Sequence, residues 1–131
     1  MSFYLVSGIA GLIISTYSFA KYYSKSGVYL LSNSSAKDMI KNNKKVKLID
    51  VRTKVEWDFG HHPQAIHIPM SDISKKNITL IRKFDNNNIK EDDILIFYCN
   101  TGQRARIASE ILFSLGYKNV YYLENSYKDI L

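Results

Sequence analysis

Short apolar runs alternate with segments of helical spacing along most of this chain, and that alternation constrains its fold more than any other feature. The apolar runs are Val46 to Val51, Ala65 to Ile68, Ile94 to Tyr98 and Val120 to Leu123. Strands that alternate with helices at such distances are typical of a parallel sheet covered by helices. The sequence therefore predicts an α/β domain, a small parallel sheet with helices on both faces.

The segments between these runs predict the helices. A first helix, capped by Ser34 or Ser35, continues through Ile40, and a helical turn surrounds Val55 to Phe59. Apolar residues also recur at helical spacing from Ile78 to Phe84, and again from Gln103 or Arg104 to Leu115.

Composition limits the class of protein. A chain of 131 residues with 46% hydrophobic content is long enough for one domain with a real core. Its one cysteine excludes an intramolecular disulfide, so a reducing compartment is expected rather than a disulfide-stapled secreted scaffold. The net charge of +6 comes from scattered lysines without interleaved aromatic residues, so no nucleic-acid partner is predicted.

The first twenty residues carry no charged side chain. A helix from Ser2 to Tyr23 would span about 33 Å, enough to cross a bilayer core of about 30 Å. Lys21 and Lys25 flank its C-terminal end. We therefore predict an N-terminal hydrophobic helix, 1–23, as a membrane anchor, a linker, 24–33, and a domain, 34–131. The chain would be a single-pass membrane protein with its C-terminal domain on the cytosolic side.

Two alternatives to an anchor remain open at this point. Ser18, Phe19 and Ala20 form a small-x-small site at which a signal peptide could be cleaved, although no Lys or Arg precedes the apolar segment. Alternatively, the segment is the first helix of the domain and packs on its core, because its serines and Thr16 make it only moderately apolar.

Cys99 stands where a predicted strand ends and a helix begins, which is the usual place for reactive groups in an open α/β sheet. Backbone N–H groups of the turn, Asn100 to Arg104, and of the first helical turn would point at its sulfur. They favour an anion there, and Arg104 adds a positive charge. The position predicts a reactive thiol rather than a small buried hydrophobe.

Two motifs in this order resemble the rhodanese superfamily of single-domain sulfurtransferases. The first comprises Leu48 to Arg52, Glu56, Trp57, Gly60, His61 and Ala65 to Pro69; the second is Ile94 to Arg104, in which Cys99, Gly102 and Arg104 match the Cys-x-x-Gly-x-Arg pattern. Ala108 and the segments Leu115 to Tyr117 and Val120 to Leu123 match the helix and strand that follow. The resemblance covers the chain from about Ser32 onward and implies a rhodanese-like fold.

The chain departs from the family pattern at two places. Gln64 stands where the family usually has a glycine, so this turn is built differently or strained. Asn125 and Ser126 replace the glycines that commonly follow the Glu124 position. The final helix is expected to be short or absent, which would leave one flank of the site more open.

The resemblance implies a mechanism. Cys99 would take the outer sulfur of a donor such as thiosulfate, become a persulfide and pass the sulfur to a thiophilic acceptor. Backbone N–H groups of the substrate-binding residues, Asn100, Thr101, Gly102, Gln103 and Arg104, would hold the charged sulfur, and Asp50 and Arg52 would support the loop. No metal or organic cofactor is required. The expected partners are a small-molecule or protein sulfur donor, an acceptor, and the membrane; the sequence does not predict an oligomeric state.

Other functions are less consistent with the residues. A membrane-tethered binding or sulfur-relay module with little activity on small molecules is the alternative that stays open. Related phosphatases use Cys-x5-Arg, whereas four residues separate Cys99 from Arg104, so the loop is too small for phosphate. The spacing of His61, His62 and His67 fits no standard zinc pattern. Trp57 is expected to pack in the core.

Overall fold

Each of the four predicted apolar runs overlaps a strand of the sheet. The computed structural model describes residues 20–23, 28–75 and 77–131. The strands in this part of the chain are β1 (Ala20–Tyr23), β2 (Tyr29–Leu31), β3 (Val46–Asp50), β4 (Ile66–His67), β5 (Ile94–Tyr98) and β6 (Asn119–Leu123). They lie in the order β1-β2-β6-β5-β3-β4. All neighbours pair in parallel except β1 and β2, so five strands form the predicted parallel sheet.

Helices connect the parallel strands. They are α1 (Asn33–Asn42), α2 (Lys54–Asp58), α3 (Met70–Lys75), α4 (Ile78–Asn86) and α5 (Gln103–Ser114), followed by a 3-10 helix, Tyr127–Ile130. Ser32, rather than Ser34 or Ser35, caps α1 by accepting the Ser35 N–H at 3.2 Å. A capping box of Thr53 and Glu56 begins α2. The short final helix expected from the sequence is this single 3-10 turn.

The core lies in two layers because alternate residues of a strand point to opposite faces. On one face, Leu48, Ile96 and Tyr98 pack with α1 and the 3-10 helix. On the other, Ile49, Leu95, Phe97 and Cys99 pack with α3, α4 and α5. Helices cover both faces, which confirms the predicted α/β architecture.

The predicted N-terminal membrane helix is wrong at its C-terminal end. Ala20–Tyr23, the last turn of the proposed span, form β1 instead, and this strand pairs antiparallel with β2. Tyrosine-rich segments favour strands, and the pairing occupies backbone groups that a helix would use internally. No helix in the described residues combines the length and apolar character needed to cross a membrane. The predicted single-pass membrane location, with the C-terminal domain on the cytosolic side, is therefore wrong as well.

The other N-terminal predictions have different outcomes. Residues 1–19 of the proposed span lie outside the described residues. The proposed linker, 24–33, contains β2, which joins the sheet beside β6. The division of the chain into segments 1–23, 24–33 and 34–131 stays a prediction.

Candidate active site

Cys99 lies directly after β5, a central strand that pairs with both β3 and β6. Its residue surface is 1% exposed, and it packs in the apolar layer beneath α5. The Gly102 N–H donates a hydrogen bond to the Cys99 Sγ over 3.1 Å, and α5 begins at the next residue. The sulfur therefore lies at the positive end of a twelve-residue helix, where negative charge is stabilised.

Gly102 makes this turn possible. Its φ of +93° lies in the left-handed region that glycine adopts without strain. A Cβ at this position would lie 2.9 Å from the Glu124 Cα and 3.0 Å from the Leu123 carbonyl oxygen. Because these neighbours are backbone atoms next to β6, a larger residue would push the loop away from the sheet.

Arg104 is held by a carboxylate of α2. Its guanidinium donates two bonds to Glu56, of 2.7 and 3.0 Å, and the Asn100 side-chain amide donates a third, of 2.7 Å. The Arg104 hydrogen bond holds the pKa of Glu56 well below its ordinary range, and bonds from Thr53 add to this effect. In turn Glu56 raises the pKa of Arg104, and the Cys99 sulfur contributes in the same direction.

A second arginine supports the loop from below. The Arg52 guanidinium bonds the Asp50 carboxylate at 2.8 to 3.1 Å and the Gly60 carbonyl at 2.7 Å. It also reaches the Asn100 side-chain oxygen over 3.4 Å. Burial, together with a hydrogen bond to Asp50, raises the pKa of Tyr98. Because Asn100 bonds to both Arg52 and Glu56, the two arginine–carboxylate pairs meet at this residue.

The arrangement is a strand, a short loop with one sulfur, and a helix that points its N-terminus at that sulfur. The family model of the rhodanese-like domain matches residues 32–131, which include every residue of this loop and of both ion pairs. The chain belongs to the rhodanese-like domain family. The predicted relation to single-domain rhodanese proteins is confirmed.

Similar proteins have more than one role. The rhodanese-like chain is 30% identical over 101 residues to the tRNA uridine(34) hydroxylase of Photorhabdus laumondii, covering 77% of this chain and 27% of that protein. YtwF of Bacillus subtilis, provisionally named a sulfurtransferase, is 33% identical over 90 residues, covering 69% of this chain and 79% of YtwF. The human single-domain sulfurtransferase has a TM-score of 0.65 at 25% identity, covering 76% and 92%. This chain spans about a quarter of the hydroxylase's length.

The predicted loop residues differ in the groups that they contact. Gly102 contacts the sulfur, whereas the side chains of Asn100 and Arg104 bond to Glu56. Thr101 and Gln103 are exposed. The Arg104 side chain is therefore held against α2, while Asp50 and Arg52 pair beneath the loop.

Glu56 was not among the predicted site residues of this rhodanese-like domain, although it belongs to the first motif. The local signal was present, since Thr53 and Glu56 have the spacing of a capping box. That spacing explains a helix start. It does not reveal that the second carboxylate oxygen reaches a loop more than forty residues away, which depends on the parallel pairing of β3 and β5.

Trp57 and the histidines form a separate aromatic group. His61 stacks on Trp57 with 3.4 Å between ring centroids, and His67 stacks with 4.7 Å. Trp57 is half-buried, so the expected position in the core is wrong. His62 is buried elsewhere; its backbone N–H donates to the Tyr98 hydroxyl, and burial lowers the pKa of its imidazole. The described residues contain no group of His, Cys, Asp and Glu that could hold a metal ion.

Proposed function

We propose that this chain is a sulfurtransferase that moves sulfane sulfur from a donor such as thiosulfate, through a persulfide on Cys99, to a thiophilic acceptor. The observation that carries the proposal is the bond from the Gly102 N–H to the Cys99 Sγ at the N-terminus of α5. This geometry stabilises a negatively charged sulfur, which both the thiolate and the persulfide require. The family assignment supports the same chemistry.

The reaction has two steps at one sulfur. The Cys99 thiolate attacks the outer sulfur of thiosulfate, a new S–S bond forms, and sulfite leaves with the electron pair of the old bond. The acceptor, cyanide or a thiolate, then attacks the outer sulfur of the persulfide. Thiocyanate or an acceptor persulfide forms, and the Cys99 thiolate is regenerated. This sequence needs no net oxidant and no cofactor.

The loop residues have distinct proposed roles. The backbone N–H groups of Asn100, Thr101, Gly102, Gln103 and Arg104 bind the donor, and the Gly102 N–H lies against the reacting sulfur. Asp50 and Arg52 support the loop through Asn100.

A second candidate is a binding or sulfur-relay module with little activity on small molecules. Two observations favour it: Cys99 is 1% exposed, and the sequence contains no second cysteine to discharge a persulfide. In that case the sulfur comes from a persulfide on another protein and returns to one.

One experiment separates these functions. The full chain is incubated with thiosulfate and, in parallel, with a protein that carries a cysteine persulfide, and intact mass reports added sulfur. We expect one sulfur atom from thiosulfate, its removal by cyanide as thiocyanate, and no addition to Cys99→Ser. Sulfur from the protein persulfide alone would identify the relay module. No added sulfur from either donor, with Cys99→Ser indistinguishable from the unmodified chain, would exclude sulfur transfer.

A further inference from the structure

One carboxylate of α2 holds both ends of the loop that begins at Cys99. Glu56 accepts two bonds from Arg104 at the end of the loop and one from Asn100 at its beginning, all between 2.7 and 3.0 Å. The Thr53 N–H donates to the same carboxylate over 2.9 Å. The position of the Arg104 charge is therefore fixed by Glu56.

The contacts of Glu56 also determine the net charge beside the sulfur that a donor approaches. Arg104 lies in the first turn of α5, two residues after the Gly102 N–H that bonds the Cys99 Sγ, and the sulfur raises its pKa after the larger effect of Glu56. Glu56 balances the charge of Arg104, just as Asp50 balances that of Arg52. The two arginines described at the loop thus each have a carboxylate partner, and together these four groups carry no net charge.

We propose that Glu56 is a positioning residue that sets the charge selectivity of the site for its sulfur donor, by neutralising Arg104 beside Cys99. This inference rests on the proposed sulfur transfer at Cys99. A neutralised arginine gives little preference to a doubly charged anion over a singly charged one. The unmodified chain is therefore suited to donors of low charge, such as thiosulfonates and persulfides, more than to the thiosulfate dianion.

Two donors of different charge test the proposal. Thiosulfate carries two negative charges; benzenethiosulfonate carries one, and reacts in the same way except that benzenesulfinate leaves with the electron pair. The measurement is kcat/KM for each donor, with cyanide as the acceptor. In Glu56→Gln the ratio of thiosulfate to benzenethiosulfonate is expected to rise about tenfold at low ionic strength. The rise is expected to shrink at about 0.5 M salt, since the pair is partly exposed.

A matched control is present on α5. Glu110 pairs with Arg106 at 2.9 Å, so Glu110→Gln removes a carboxylate from an arginine pair that lies outside the loop. Its donor ratio is expected to stay within about twofold of the unmodified chain. Equal ratios in the two glutamine variants would overturn the role of Glu56.

A second readout does not depend on any sulfur donor. The rate at which iodoacetamide alkylates Cys99 is measured against pH, because the thiolate is the reactive form. In Glu56→Gln the profile is expected to move to lower pH by about half a unit or more, and in Glu110→Gln it is expected to stay in place. A role limited to loop packing predicts no such movement.

A double variant, Glu56→Gln with Arg104→Gln, keeps the proposal testable if Glu56→Gln does not fold by itself. In Arg104→Gln the Glu56 carboxylate is unbalanced, so the thiosulfate ratio falls. The double variant removes both charges, and its ratio is expected to return to within about threefold of the unmodified chain. A double variant with the same ratio as Arg104→Gln would overturn the proposal.

The two proposals fail in different ways. If neither donor adds sulfur to Cys99 in the unmodified chain, the sulfurtransferase function fails. If sulfur is added but Glu56→Gln and Glu110→Gln keep the same donor ratio and alkylation profile, the function stands and the role of Glu56 alone is rejected.

Discussion

The site contains two arginine–carboxylate pairs that share the same chemistry and differ in burial. In the Asp50–Arg52 pair, 0% and 7% of the side-chain surfaces are exposed; in the Glu56–Arg104 pair, 27% and 35% are exposed. Separating a buried pair leaves a charge without water or partner, whereas a partly exposed pair can be rehydrated. The buried pair therefore maintains the fold of the loop, whereas the partly exposed pair can lose one of its charges without unfolding the loop.

Asn100 joins the two pairs, because its oxygen accepts from Arg52 and its amide donates to Glu56. The bond to Glu56 is shorter, 2.7 Å against 3.4 Å. The Asn100 side chain, at the start of the loop, is therefore held more closely by the exposed pair than by the buried pair. Substitutions in the two pairs should separate a loss of stability from a change in reactivity.

The largest effect on stability is expected from the buried pair. Asp50→Asn leaves the Arg52 guanidinium without its carboxylate in a buried position, so the free energy of unfolding should fall by about 3–5 kcal/mol. Asn keeps a side-chain oxygen that can accept the Arg52 backbone N–H, as Asp50 does at 2.9 Å, so the substitution mainly removes the charge. Urea unfolding of the full chain measures the change.

A second substitution checks whether charge is the cause. Replacing Arg52 by Gln in the Asp50→Asn background removes the unpaired charge and should restore part of the lost stability. If Asp50→Asn lowers the free energy of unfolding by less than about 1 kcal/mol, the buried pair contributes no more than an exposed pair would, and the proposed difference between the two pairs is wrong.

The sequence predicts the centre of this fold better than its N-terminal edge. β5 is a continuous apolar run, and β6 is apolar after Asn119, because a central parallel strand is buried on both faces. The edge strand β1 was assigned to a membrane helix because it directly follows a segment, 1–19, without charged residues. In the short helix α3, Ile73 is the one buried residue among 70–74, and this period is too weak to detect.

For the site, sequence reasoning located the loop but not its contacts. The spacing of Cys99, Gly102 and Arg104 is local, so a strand, turn and helix can be predicted from it. The bonds of Arg104 and Asn100 to Glu56 join residues 48 and 44 positions apart, and they exist only once β3 and β5 are paired. A pattern within one segment holds no information about such contacts.

A smaller effect, which depends on pH, is expected from the exposed pair. The pKa of Glu56 is held below its ordinary value of 4.5 by the bond from Arg104, so the pair stabilises the fold above that pH. This contribution is lost as the pH falls from about 4.5 through the folded pKa. The Tm of Glu56→Gln should lie about 1–4 °C below that of the unmodified chain at pH 7.

The sign of this dependence provides the check. Because only the unmodified chain has a Glu56 carboxylate whose contribution is lost in acid, the Tm difference between the two chains should narrow between pH 5 and pH 3. Thermal melts of the full chain at several pH values measure it, with Glu110→Gln as the control for loss of one carboxylate. A Tm difference that stays constant or widens toward pH 3 contradicts the assignment.

The smallest effect is expected from a third pair, on the same short helix as Glu56. Lys54 and Asp58 are 74% and 55% exposed, and they lie one turn apart on α2. An exposed i,i+4 pair contributes little, and a lysine in the first turn of a helix opposes the helix dipole. Lys54→Ala should change the free energy of unfolding by less than about 0.5 kcal/mol and leave the rate of sulfur addition within about twofold. A larger change in that rate would mean that a charge on α2 affects Cys99 without any contact with the loop. The difference between the pairs would then depend on their distance from the sulfur rather than on the contacts of Glu56.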